Sequence, residues 1–109
     1  MDTEILQDMK AYFGEDYNSM DENTLLFCIK RAMKSFQNQR KYPDTYSEQM
    51  RLKDMENYYA CIFDLALYWT NMQGVEFQLS HSENGVNRSW ETETEIYSRH
   101  HIVPIARIV

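Results

Sequence analysis

Cysteine, proline and glycine are all scarce in this chain. Cys28 and Cys61 are its two cysteines, too few for a disulfide framework. Both fall inside apolar helical patterns, so they read as small buried hydrophobes of a reducing compartment. Three glycines and two prolines in 109 residues exclude collagen-like and low-complexity classes. No run approaches the ~18 apolar residues of a membrane span; the richest, residues 60–67, is broken by Asp64. Basic excess is missing too. The net charge of −6 argues against a simple nucleic-acid binder. The start, Met1-Asp2-Thr3-Glu4, is acidic, the reverse of a secretory leader, so the chain is expected to act or be assembled where it is made.

What is present is one domain's worth of ordinary globular composition, 43% hydrophobic and 26% charged. Eight tyrosines and two tryptophans are many for this size. Both types favour interfaces, so some of them are expected outside a monomer core.

The apolar spacing predicts a mainly α fold, a small bundle of three to four helices. The first helix covers about 4–13, capped by Asp2 or Thr3 and closed by Gly14. The second covers about 20–40. Ser19 and Glu22 fit a capping box, and Lys41-Tyr42-Pro43 ends the helix. The third covers about 47–73, with Thr45 or Ser47 as cap, a stripe including Met50, and Gly74 at its end. As one rod it would be ~40 Å long, more than the first two helices can cover. Leu26, Ile29, Met33, Phe36, Ile62, Leu65 and Trp69 are the expected core between the second and third helices.

After Gly74 the period changes. Val75, Phe77 and Leu79 alternate with polar residues, and Asn84-Gly85 is a hairpin signal, so 75–91 reads as a hairpin or a long loop. A short helix is expected at about 93–100, capped by Thr92, with Ile96 and Tyr97 inward. The chain closes on an apolar arm, 102–109. Pro104 bars that arm from a central strand but permits an edge or an extended segment.

Charge is segregated. Residues 1–27 carry seven acidic side chains and one basic; residues 28–53 carry two acidic and seven basic. The basic block is Lys30, Arg31, Lys34, Arg40 and Lys41, continued by Arg51 and Lys53. It reads either as a solvated face or as one side of a polar subunit, facing a neighbour's Asp2, Glu4, Asp8 or Glu15. Head-to-tail copies of such a subunit can close into a ring.

Patterns for catalysis are missing. There is no phosphate loop, nucleophile elbow or zinc-protease motif. The adjacent pair His100-His101 is poor metal geometry, and Glu91, Glu93 and Glu95 read as a solvated alternation. No catalytic residue, metal or cofactor is assigned. The polar stretch 80–91 is more informative. It embeds Glu83, Asn84, Arg88 and Trp90, and Trp and Arg are typical recognition residues.

The layout then resembles a family. Three helices are followed by Ser82-Glu83-Asn84-Gly85, then Arg88-Ser89-Trp90-Glu91, a turn at Ile96-Tyr97-Ser98-Arg99, and a terminal Ile102-Val103-Pro104-Ile105-Ala106-Arg107-Ile108. This is similar to the head-tail connector (adaptor, head completion) proteins of tailed double-stranded-DNA bacteriophages and prophages. The resemblance implies a helical subunit, made in the bacterial cytoplasm and built into the virion. About twelve copies would form a ring under the portal protein. That ring would extend the DNA channel and dock the stopper or tail-completion protein, with DNA passing through without specific binding. It further implies that Ile102, Val103, Pro104, Ile105, Ile108 and Val109 reach the portal. Glu83, Asn84, Arg88 and Trp90 would serve ring or tail contacts. An acidic channel wall lets DNA slide. The alternative is a small helical regulatory or adaptor module that binds one partner through its apolar tail; a small enzyme is a third class.

Overall fold

The computed structural model describes residues 1–72 and 92–105. Among them are five α-helices and no strand. The expected hairpin or loop at 75–91, the closing Gly74, and Ile108 and Val109 lie outside the described residues.

Helix α1 (Asp2–Phe13) begins two residues before the expected boundary. Met1 occupies the cap position without a side-chain bond, so neither Asp2 nor Thr3 caps it. Asp2 and Glu4 lie in the first turn, where acidic charge opposes the helix dipole. Ile5, Leu6 and Met9 are buried, a narrow face that needs a partner. Gly14 ends the helix at φ 58, as its type allows, and its N–H bonds to the Lys10 carbonyl. From there the chain makes a 3-10 turn, Gly14–Ser19, with nothing buried.

That turn displaces the expected capping box. Ser19 belongs to it and donates to the Asp16 carbonyl at 2.9 Å. The cap of α2 (Glu22–Arg40) is Asp21, whose carboxylate accepts from the Asn23 N–H at 3.3 Å and the Thr24 hydroxyl at 2.8 Å. Lys41, left-handed at φ 49, closes α2 two residues before Pro43.

The expected 47–73 rod is two helices, α3 (Glu48–Asn57) and α4 (Tyr59–Met72). Ser47 caps α3 as expected, accepting from the Met50 N–H at 3.2 Å. The break is at Tyr58 (φ −112, ψ 31), whose N–H is shared between the Asp54 and Met55 carbonyls at 3.2 Å each. Asn57, Tyr58 and Tyr59 are middling helix formers, so tertiary contacts decide here. Asp54 is bound to Arg40 and Tyr42, and the Tyr58 ring packs on Phe36 at 6.0 Å. The two halves also differ. Helix α3 buries Met55 alone and leaves Met50 exposed, whereas α4 buries Cys61, Ile62, Leu65 and Ala66.

The core lies mainly between α2 and α4. Ile29, Phe36, Ile62 and Leu65 are fully buried, as the periodicity predicts. Leu26, Met33 and Trp69 are only half-buried. Leu25, Cys28 and Ala32 take the inner face of α2 instead. Both cysteines are buried, and neither forms a disulfide. Helix α5 (Glu93–Arg99) starts at its Thr92 cap and buries Ile96 and Tyr97, as expected. No helix among the described residues is long and apolar enough to cross a membrane.

Candidate functional site

The start of the C-terminal segment is anchored to the body. After α5, His101 adopts φ 57 and turns the chain back. The Ile102 N–H bonds to the Tyr97 carbonyl at 2.9 Å, and the Ile102 side chain joins the core at 4% exposure. Ile102, the first residue of the expected arm, therefore packs with the core. Val103 is exposed, and Pro104 and Ile105 are half-buried.

A clamp of three polar side chains holds the backbone at Val103. Arg40, at the end of α2, makes a two-pronged pair with Asp54 of α3. Its Nε donates to Oδ2 and its Nη2 to Oδ1, both at 2.9 Å. The remaining Nη1 donates to the Val103 carbonyl at 2.8 Å, and the Tyr42 hydroxyl donates to Asp54 at 2.8 Å. Burial pulls the Arg40 guanidinium down, but its bonds to Asp54 outweigh this and hold it above its ordinary value. Burial, then the Asp54 carboxylate, raises the Tyr42 hydroxyl. One planar cation thus ties α2, α3 and the start of the tail together.

Arg40 is therefore spent inside its own subunit, and the basic block divides. Arg31 lies over the Trp69 ring, 3.7 Å from its centroid, a cation–π contact between α2 and α4. Lys30, Lys34 and Lys41 are exposed. Lys30 and Lys34 border a groove of about 440 Å³ on the outer face of α2, with Leu26, Phe27 and Met33 between them. Asp2 lines the same groove, so part of the acidic charge expected on a neighbour meets the block within the subunit. Asp8 is also engaged at home, accepting from the Tyr59 hydroxyl, which burial and this carboxylate raise.

Nucleophile and metal geometry is poor. Burial, then Asp64, pushes the Cys61 thiol up to about 12, so it stays protonated and unreactive at neutral pH. His100 sits 2.7 Å from Asp64, which also accepts from Arg99 at 3.0 Å. His101 is not part of that group, which clasps α5 to α4. Ser35 and Tyr97 make a second clasp, from α2 to α5, at 2.6 Å. No group of three or more metal-ligating side chains converges among the described residues. Glu83, Asn84, Arg88 and Trp90 lie outside them.

Comparison with protein-family models, with curated proteins and with solved structures gives no match. Function must be argued from surfaces. One of them escaped the periodicity argument. Phe27 is 60% exposed, and with Leu26 and Met33 it makes the outer face of α2 apolar. The signal was present in the consecutive Leu25-Leu26-Phe27. Three adjacent apolar residues cannot share one stripe of a 3.6-residue helix, so at least one must face outward.

Proposed function

We propose that the chain is a structural subunit of a phage head-tail connector, a ring component that joins the portal protein to the stopper or tail. The observation that carries the reading is the anchored tail. The segment that resembles the family's terminal motif begins on a helical body, held there by Ile102 in the core and by the Arg40–Val103 bond. Beyond that anchor, Val103 is exposed at the surface. An apolar segment presented from a rigid base suits strand addition to a partner, with main-chain bonds giving affinity and alternate side chains specificity. The exposed lysines of α2 and the acidic face of α1 supply the unlike sides that ring contacts require.

The test is to mix the purified chain with its cognate portal protein and image the product by negative-stain electron microscopy. Rings with a central channel, seated on the portal, are expected. A chain ending at Val103 keeps Ile102 and should stay folded but lose portal binding. A full-length chain that stays monomeric beside the portal, or a truncated one that still binds it, refutes the reading and favours the single-partner adaptor.

A further inference from the structure

Helix α3 is joined to the body in a way that lets it move as a unit. The hydrogen-bond ladder is interrupted on both sides of it. Residues 41–47 connect it to α2, and at its far end the Tyr58 N–H is shared between the Asp54 and Met55 carbonyls at 3.2 Å each. Met55 is the one side chain that α3 buries. Among the described residues, its side-chain bonds to the rest of the fold all run through Asp54, to Arg40 at the end of α2 and to Tyr42 just beyond. Ten residues make a marginal helix in water, so α3 keeps its form only while it is docked.

The pivot is held independently of α3. The Tyr58 ring packs on Phe36 of α2 at 6.0 Å, and α4 beyond it buries Cys61, Ile62, Leu65 and Ala66. A partial opening therefore divides the chain at Tyr58, with α3 leaving and α4 in place.

Arg40 links this opening to the other end of the chain. Its side chain is 11% exposed, and Asp54 takes its Nε and Nη2. Those two prongs fix the plane of the guanidinium and so aim Nη1 at the Val103 carbonyl, 2.8 Å away. When α3 leaves, Asp54 goes with it. A desolvated cation stripped of its counter-charge turns to water or follows the carboxylate, and either move breaks the bond to Val103. We infer that α3 and the start of the C-terminal segment form one latch: undocking α3 at Tyr58 releases Val103 through Arg40. The coupling is reciprocal, so a partner that draws Val103 away from Arg40 loosens α3 by the same factor. This device belongs to the single subunit and does not rest on the connector reading.

Hydrogen exchange of the wild-type chain, followed by NMR in sub-denaturing urea, reads the opening. The amides of residues 52–57 should exchange together, about tenfold or more faster than those of Ile29, Ile62 and Leu65. Their rates should also depend less on urea, because opening α3 exposes less surface than global unfolding. Tyr42→Phe then reads the coupling. It removes one bond to Asp54 and leaves Arg40, Asp54 and Val103 in place. A hydrogen bond to a charged group is worth about tenfold at the low end, so α3 exchange should rise by about that factor with the helical circular dichroism unchanged. In this variant, relaxation dispersion should give the α3 amides and the Val103 carbonyl carbon one common rate and one common minor population, with Ile62 and Leu65 flat. Amides of α3 that exchange with the rate and urea dependence of α2 and α4 overturn the pivot, as does α3 exchange unaltered by Tyr42→Phe. A Val103 carbonyl that shows no dispersion, or disperses at a rate α3 does not share, overturns the latch.

Discussion

Asp54 is the residue whose loss should tell most about the body of the fold. Its carboxylate receives two bonds from Arg40 and one from Tyr42, and the paired side chains are only 11% and 14% exposed. Asp54→Ala leaves a desolvated guanidinium without its counter-charge. Removing one partner of a buried pair costs about 3–5 kcal/mol. The residual exposure places this pair at the low end, about 3 kcal/mol, since water can reach the stranded group. In a domain near 100 residues each kcal/mol moves the melting temperature by about 4–8 °C, so a drop of about 12 °C or more is expected. Urea unfolding followed by circular dichroism measures the free energy directly. The control is the double variant Arg40→Met, Asp54→Leu. It removes both charges, so it should be more stable than Asp54→Ala although it carries more substitutions. Asp54→Ala within about 0.5 kcal/mol of the wild type would refute the reasoning, as would a double variant less stable than the single one.

The cap of α2 offers a cleaner, smaller test. Asp21→Ala should destabilise by about 1 kcal/mol while Ser19→Ala changes far less; equal effects in thermal unfolding would show that the sequence's capping box operates after all. Alkaline pH should destabilise the protein in a defined window. The Cys61 thiol is raised from 9.0 to about 12, and the Tyr42, Tyr59 and Tyr97 hydroxyls are also raised. The native state holds these protons where the unfolded chain releases them. The stability they contribute is therefore complete below about pH 9 and falls as pH rises toward 12. Urea midpoints across that range check this, and native Cys61 should stay inert to a thiol reagent at about pH 8; a flat profile or rapid labelling would contradict the burial argument.

Local signals carried the helices well where a helix ends on its own chemistry. Gly14, Ser47, Thr92 and the Lys41-Tyr42-Pro43 stretch each mark a boundary through backbone geometry or a side-chain cap, and each acts in place. Boundaries decided by distant partners were not legible. Nothing near Tyr58 announces a break, because its causes are Phe36, Arg40 and Tyr42, 16 or more residues away in the sequence. The failed capping box has a related origin. Ser19 has the right neighbours for a cap, but the 3-10 turn claims its hydroxyl first. The phase of α2 was off by about one residue for a third reason. The helix carries apolar residues over more than half its circumference, so Leu25 and Leu26 are equally good core candidates until α4 selects one.

The same selection links fold to proposed function at both candidate surfaces. By taking Leu25, Cys28 and Ala32 inward, α2 turns Phe27, Lys30 and Lys34 outward as a set, so packing against α4 is what creates the groove. At the other end of α2, Arg40 is drawn out of the basic block by Asp54 and becomes a structural bolt for the tail. A tail tethered only by a flexible joint would lose conformational freedom on docking, about 1–2 kcal/mol for each backbone residue ordered. Holding Ile102 in the core and Val103 by its carbonyl sets that cost aside for the first two residues. The bolt and the exposed lysines lie on one helix. A change that tilts α2 against α4 should therefore disturb self-association, read by sedimentation velocity, and tail docking together, whereas Lys30→Glu with Lys34→Glu should disturb self-association alone.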